Sequence, residues 1–322
     1  MFLRFFPNLL PKKEKFFVNY SMGIFITRRT AMSETVFNNI DPATMERIKK
    51  LRLIDDELMT MVFSGDKKAT ELLIRILLNR NDLRVTKSMT QEQKHNLFGR
   101  SVTLDIVAED IFKTEYNIEI QRADKGAGGR RIRYHQAMLD SHTLKKQEDF
   151  DMLPNLYIIF ILEHDLFGKD EPLYFVNKTL NINDEEGNPL LFDDGCNIMY
   201  VNGEYKGEDA LGKLMHDFST PNADEMYYTE LAEKVRFYKQ DEMGVQMASK
   251  IVEEYGDERA AQALQQGIQQ GAQQKAIDAA KNLLRMKLGT HEQIAQAQEL
   301  PLKKVQELAQ EIANEKELQD KK

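Results

Sequence analysis

The amino-acid sequence predicts an α/β fold, in which a mixed sheet is flanked by helices and followed by a helical tail. Three observations support this prediction. Residues 101–121 contain two runs of alternating apolar and polar side chains separated by a turn, which is the pattern of a β-hairpin. The apolar run 156–162 (LYIIFIL) has the length of a buried central strand. Residues 211–218 and 225–243 are predicted to be helical, and the second segment is rich in Glu and Lys at helical offsets.

The predicted hairpin carries Asp105 in its first strand and Glu119 in its second, on either side of a turn at residues 110–113. Opposite residues of an antiparallel pair have Cβ atoms about 5 Å apart, so both carboxylates can point into one space. They would not both ionise comfortably there without a positive charge between them, and hard cations such as Mg²⁺ take oxygen ligands. The alternative interpretation is that both acids face solvent, as most acidic residues do.

The order of several segments around the hairpin is more specific than the acidic pair. These segments are 99–102 (GRSV), 104–110 (LDIVAED), 116–122 (YNIEIQR), 130–140 (RRIRYHQAMLD) and 153–160 (LPNLYIIF). Together they resemble the PD-(D/E)XK nuclease family transposases, also described as recombination-promoting nucleases, and the likeness runs from about residue 51 to the C-terminus. The resemblance implies a restriction-endonuclease-like fold and a DNA endonuclease that depends on Mg²⁺ or Mn²⁺.

The resemblance also implies a set of metal-binding residues. Asp105, Glu119 and the carbonyl of Ile120 would hold the ion, which lowers the pKa of a bound water. Asp56 matches the upstream acid of the family and would help to position the metal or its water. From the residues alone, however, an aspartate near a helix N-terminus is also explained by its favourable interaction with the helix dipole.

Gln121 is the catalytic position at which this chain departs from the commonest family pattern. Most related nucleases have a lysine there, which orients the nucleophile and neutralises charge. Glutamine can hydrogen-bond a water but carries no positive charge. The resemblance therefore leaves two possibilities, slow catalysis or a charge supplied by Arg122 or Arg130.

A predicted helix after the hairpin is rich in basic side chains, and we interpret it as a phosphate-binding element. Arg130, Arg131 and Arg133 lie near its start together with Tyr134, and Arg122 ends the preceding strand. A nuclease that binds an anionic substrate needs such positive charge. The alternative is an exposed helix face with surface salt bridges, each of which contributes little stability.

Composition narrows the class of protein further. The formal net charge of −8 argues against a broad basic surface for nucleic acid, although it leaves room for a local basic groove. Cys196 is the single cysteine, so the chain has no intramolecular disulfide, which fits a cytoplasmic protein. No apolar run approaches the ~20 residues of a transmembrane helix.

Three regions are predicted along the chain. Residues 1–31 are predicted to be a non-native or disordered extension, with Met32 as the true first residue; the minority interpretation is a peripheral membrane anchor. Residues 32–250 form the nuclease-like domain. Residues 251–322 form a Gln/Ala-rich helical connector and a small helical module, through which a homo-oligomer is expected.

The main alternative to an active endonuclease is a catalytically weak or inactive nuclease-like module that binds DNA or protein. The neutral Gln121, the acidic net charge and the mixed charge of the C-terminal helices favour this alternative.

Overall fold

A six-stranded mixed sheet forms the centre of the structure. The computed structural model describes residues 40–122 and 127–320, so residues 1–31 and their predicted role lie outside the described residues. The strands are β1 (Val85–Lys94), β2 (Val102–Asp110), β3 (Glu115–Gln121), β4 (Leu156–Leu162), β5 (Leu173–Val176), β6 (Thr179–Asn183), β7 (Pro189–Leu191) and β8 (Cys196–Asn202).

The order of the strands across this sheet is β1-β2-β3-β4-β8-β5, and β6 pairs with β7 in a separate two-stranded sheet. Strands β3, β4 and β8 are parallel, whereas β1, β2 and β5 run antiparallel to their neighbours. Strand β4 lies between two parallel partners, with six of its seven residues buried. This position explains its uninterrupted apolar sequence and confirms the predicted mixed α/β fold.

Helices cover both faces of the sheet. Helices α1–α3, α5, α6 and the start of α7 enclose the larger core on one face, and α4 covers the smaller core on the other. The helices are α1 (Pro42–Lys50), α2 (Asp56–Phe63), α3 (Lys67–Leu78), α4 (Gly129–Thr143), α5 (Ala210–Ser219), α6 (Thr229–Gln240), α7 (Glu242–Arg285), α8 (His291–Ala297) and α9 (Leu302–Asp320).

The hairpin of β2 and β3 forms as predicted, with Ile106 opposite Ile118 in an antiparallel ladder. Asp110 stabilises the turn of this hairpin. One carboxylate oxygen accepts hydrogen bonds from the backbone N–H groups of Phe112 at 2.8 Å and Thr114 at 3.0 Å. The other accepts the hydroxyl of Tyr116 at 2.8 Å. These bonds satisfy a fully buried carboxylate and fix the register that carries the acidic pair.

Helix α7 is one continuous element of 44 residues and crosses the domain boundary predicted at residues 250 and 251. The predicted helix over residues 225–243 is instead divided between α6 and α7. Asp241 causes this division because its carboxylate accepts the N–H groups of Met243 and Gly244 and so begins a new helix. The three-region division of the chain stays a prediction.

The C-terminal helices pack against the end of α7 within the same chain. Their small core includes Ala280, Ile294, Val305 and Leu308, and a capping box between Thr290 and Gln293 begins α8. An oligomer through these helices stays a prediction. None of the helices in the described residues is long and apolar enough to cross a membrane.

Candidate active site

A cleft of about 290 Å³ opens where the acidic hairpin meets helices α2, α4 and α7. We call it the carboxylate cleft. Its walls include Asp56, Asp105, Ile120, Gln121, Arg131 and Tyr255. The structure therefore brings together residues from distant parts of the chain, including three of the four predicted catalytic residues.

Asp105 is aimed into the cleft by an irregularity in the neighbouring strand. Gln91 has a φ of +51° and lies between the register pairs that Thr90 and Glu92 form with β2, opposite Asp105. The register is the same on both sides of Gln91, so its positive φ is a local distortion of β1 without an inserted residue. The amide of Gln91 lies 3.5 Å from one carboxylate oxygen of Asp105, and the N–H of Ile120 donates to the other at 2.8 Å.

The surroundings of Asp105 favour its protonated form. Burial and, after it, the negative charge of Glu119 raise the pKa of Asp105 to about 7. The charge of Glu119 thus acts on Asp105 from the neighbouring strand. The carbonyl of Ile120 points to the same side of β3 as its N–H, since both groups of one residue face the same neighbouring strand.

Glu119 is a buried acid with one unsatisfied oxygen. Its side chain is 1% exposed, and Oε2 accepts a hydrogen bond from Nη2 of Arg131 at 3.0 Å. Oε1 is buried without a hydrogen-bond partner among the described residues, and Nδ1 of His135 lies 3.5 Å from it. A buried acceptor left without a partner is costly, so this oxygen is available to a ligand.

Gln121 and Arg131 are hydrogen-bonded to each other beside Glu119. The amide oxygen of Gln121 accepts a hydrogen bond from Nη1 of Arg131 at 3.0 Å, while Nη2 binds Glu119. The guanidinium also lies 5.9 Å from the ring centre of Phe160. Arg131 thus brings a fixed positive charge to the residue that lacks one.

The sequence predicts that Arg122 or Arg130 supplies the positive charge that Gln121 lacks, and the structure differs from that expectation. Arg122 is paired with Asp55 at 2.8 Å and with Glu163 at 3.2 Å, although it also lines the cleft. Arg130 is exposed and lies in the neighbouring cavity. The helical turn of α4 therefore presents Arg131, rather than Arg130, to Gln121.

Asp56 is the first residue of α2 and lines the cleft opposite the hairpin. Burial raises the pKa of its carboxyl above the ordinary value, with a further contribution from Glu57. Nη2 of Arg259 lies 3.5 Å from it. Tyr255, one helical turn before Arg259, lines the cleft and shares a hydrogen bond of 2.8 Å with Thr60.

The cleft offers oxygen donors of the kind that a hydrated hard cation takes. Within the described part of the chain, no group of three or more His, Cys, Asp or Glu side chains is arranged to hold a metal ion. Mg²⁺ is nevertheless often held by one or two carboxylates, with water completing its octahedron. Asp105 and Ile120 line the cleft, whereas Glu119 lies outside this lining, with its Oε1 3.5 Å from Nδ1 of His135. Cys196 and the histidines do not offer the closed nitrogen and sulfur set of a structural zinc site.

A second cavity, of about 710 Å³, adjoins the cleft through Arg131, and we call it the arginine groove. Its walls include Arg100, Arg130 and Tyr134. The hydroxyl of Tyr134 donates to the carbonyl of Arg100. Of the predicted phosphate-binding residues, the groove gathers Arg130, Arg131 and Tyr134. Arg133 is exposed on the same helix, outside both cavities.

Four residues in or beside the site are not predicted from the sequence, namely Gln91, Glu57, Tyr255 and Arg259. Glu57 is buried and binds both Arg47 and Arg259. A partial signal existed for it, since an acid inside an otherwise apolar helix segment needs a partner when buried. No local signal indicates Tyr255 or Arg259, which lie about two hundred residues from their partners along the chain.

Arg259→Ala is expected to lower the free energy of unfolding by about 1–3 kcal/mol, because Glu57 loses one of two charged partners. Glu57 is 1% exposed, and Nη1 of Arg259 binds it at 2.8 Å. Urea denaturation measures the change. Arg236→Ala is the control, since its pair with Asp224 is exposed and should contribute at most about 1 kcal/mol. Equal losses in the two variants would contradict this account of helix α7.

The metal-free protein is expected to lose stability as the pH rises from about 4, the ordinary pKa of aspartate, to about 7. In this range Asp105 keeps a proton in the folded state that the unfolded chain has released, because its folded pKa is about 7. The folded state binds more protons, so stability falls with pH. Urea denaturation in EDTA at several pH values measures this. Asp105→Asn should flatten that part of the profile, and an unchanged profile would refute the assignment.

One of the comparisons with known proteins gave a match. Neither the curated proteins nor the solved structures gave a match to the chain. The family model described as PD-(D/E)XK nuclease family transposase matches residues 60–204. The match includes the hairpin, helix α4 and strands β4 to β8. It excludes Asp56, Tyr255 and Arg259. The sheet and most of the site therefore lie in the part of the chain that is similar to the PD-(D/E)XK nuclease family transposases.

Proposed function

We propose that the protein is a metal-dependent DNA endonuclease of the recombination-promoting type, which hydrolyses phosphodiester bonds in the carboxylate cleft. The observation that carries this proposal is the pair of interacting acids on the hairpin, since Asp105 lines the cleft and the charge of the buried Glu119 raises its pKa. Two interacting carboxylates with a guanidinium bound to one of them support a site for a cation and an anionic substrate.

The proposed ligands of Mg²⁺ or Mn²⁺ are Asp105, Glu119 and the carbonyl of Ile120, with Asp56 at the opposite wall. When bound, the ion would lower the pKa of a water and stabilise charge on the phosphate. Asp105 must lose its proton to act as a ligand, and the N–H of Ile120 already orients its carboxylate for that role. Arg259 holds Asp56 in place from helix α7.

Arg131 is proposed to supply the positive charge that Gln121 lacks. Its guanidinium is held by Gln121, Glu119 and the ring of Phe160, so little reorganisation is needed when negative charge develops on a phosphate. Gln121 would then orient the attacking water through its amide. This arrangement divides between two side chains the roles that a single lysine would otherwise perform.

DNA is the proposed substrate, bound in the arginine groove next to the cleft. Arg130, Arg131 and Tyr134 provide contacts for the phosphate backbone, with Arg133 exposed on the same helix and Arg122 in the adjoining cleft. A local groove of this kind is compatible with the net charge of −8. The lone Cys196 supports a cytoplasmic setting, and an oligomer through the C-terminal helices is part of the proposal.

Plasmid cleavage tests the proposed function. Supercoiled DNA is incubated with the full chain in Mg²⁺, Mn²⁺ or EDTA, beside Asp105→Ala. Nicking or linearisation that needs the metal and disappears in Asp105→Ala is the expected result. Equal activity in the variant would indicate a contaminant and refute the assigned site.

A second candidate function is a nuclease-like module that binds DNA without cutting it. One observation favours this candidate, namely that Oε2 of Glu119 is already occupied by Arg131 and Gln121 carries no charge. Wild-type protein that binds DNA in the groove but leaves plasmid intact in both metals would support it.

A further inference from the structure

The loop between β1 and β2 has an ordered backbone. The N–H of Asn96 donates to the hydroxyl of Ser101 at 3.1 Å, and the N–H of Phe98 donates to the side-chain oxygen of Asn96 at 3.0 Å. The side-chain amide of Asn96 binds the hydroxyl of Tyr134 at 3.2 Å, which fastens the loop to helix α4. The imidazole of His142 adds a second attachment, 3.1 Å from the carbonyl of His95.

This loop nevertheless presents its two large apolar side chains to solvent. Leu97 is 91% exposed and Phe98 is 99% exposed. Removing an apolar side chain from water is favourable. In this loop, however, several hydrogen bonds hold the backbone in a shape that leaves both side chains unburied. The loop therefore presents an aromatic ring at a fixed place.

The loop that carries this ring leads directly into the wall of the arginine groove. Arg100 and Ser101 follow Phe98 directly in the chain and form part of the wall of the groove. Tyr134, which anchors Asn96, lines the same groove beside Arg130 and Arg131. An exposed aromatic ring next to a basic channel is the arrangement by which proteins hold single-stranded nucleic acid, with arginines on phosphates and bases stacked on rings.

We propose that Phe98 stacks on an unpaired base of a DNA strand whose phosphates follow the arginine groove towards the carboxylate cleft. The inference rests on the proposed function in that the strand is the substrate. It adds the form of that substrate, which is single-stranded DNA or a duplex with unpaired bases. Charge complementarity with Arg100, Arg130 and Arg131 favours nucleic acid over an apolar protein partner.

The chain has no tryptophan, so Phe98→Trp creates a unique fluorescent probe at this site. Addition of a single-stranded oligonucleotide in EDTA should quench this tryptophan, whereas intact duplex should quench it less. Phe150→Trp is the matched control, because Phe150 is 80% exposed in a different loop and should not respond. Quenching of Phe98→Trp by polyphosphate, which has no bases, would overturn base stacking.

Phe98→Ala should weaken binding of the single strand about 5- to 150-fold, the loss expected for one stacked base. The same variant should bind intact duplex nearly as well as wild type does. Wild-type binding that is lost in Arg130→Ala but unchanged in Phe98→Ala would overturn this inference and leave the proposed nuclease intact. Binding that depends on Phe98, without cleavage in Mg²⁺ or Mn²⁺, would instead support this inference and contradict the proposed nuclease activity.

Discussion

We expect Glu119→Gln to lower the single-turnover rate of DNA cleavage about 10³-fold. This factor corresponds to about 4 kcal/mol of transition-state stabilisation. The substitution keeps the shape of the side chain but removes the negative charge that would hold the ion beside Asp105. Glu119 is buried, and its Oε1 has no hydrogen-bond partner among the described residues. The rate is measured with enzyme in excess over a labelled duplex in Mn²⁺.

Glu115→Gln is the matched control for this prediction. Glu115 lies on the same strand and burial raises its pKa, but it is bonded to Thr143 at the far end of β3. Its substitution should leave the cleavage rate within about twofold of wild type, as expected for a change away from the reacting atoms. A similar loss in both variants would mean that strand β3, and not the carboxylate, was damaged.

The second large effect concerns Arg131. Arg131→Gln is expected to lower the cleavage rate about 10²–10³-fold, the loss typical of removing one fixed donor from a developing anion. The KM for DNA should change less than kcat, because the arginine acts mainly on charge that appears in the transition state. Arg130→Gln is the control, since Arg130 is exposed and should affect KM more than kcat.

Rescue separates a catalytic role of Arg131 from a structural one. The double variant Arg131→Gln with Gln121→Lys moves the positive charge onto β3 while keeping one cation in the site. Cleavage should recover by at least about tenfold relative to Arg131→Gln, which corresponds to about 1.4 kcal/mol. No recovery, together with an unchanged melting temperature, would contradict the proposed division of roles between Gln121 and Arg131.

The sheet and hairpin are predictable from the sequence because their signals are local. The alternation of β2, the turn held by Asp110 and the apolar run of β4 each lie within a few residues. Strands β6 and β7 are not predictable in this way. All of their residues are exposed, so no buried face imposes alternation on them.

The hairpin that carries Asp105 and Glu119 on neighbouring strands is predictable for the same reason, while their joint role as a metal site stays a prediction. The partners of that pair are not. Whether Arg130 or Arg131 meets Gln121 depends on the rotation of α4 over the sheet, which tertiary packing decides. Arg259 reaches Asp56 and Glu57 from helix α7, and no spacing in the sequence records so distant a contact.

Calorimetric titration with Mn²⁺ tests the central claim most directly, because it measures ligation without relying on cleavage. The wild-type chain should bind an ion at the acidic pair, and Glu119→Gln should lose that binding while keeping its fold. Glu115→Gln should bind as wild type does. Binding that is the same in wild type and Glu119→Gln would contradict the assignment of this pair as the metal centre.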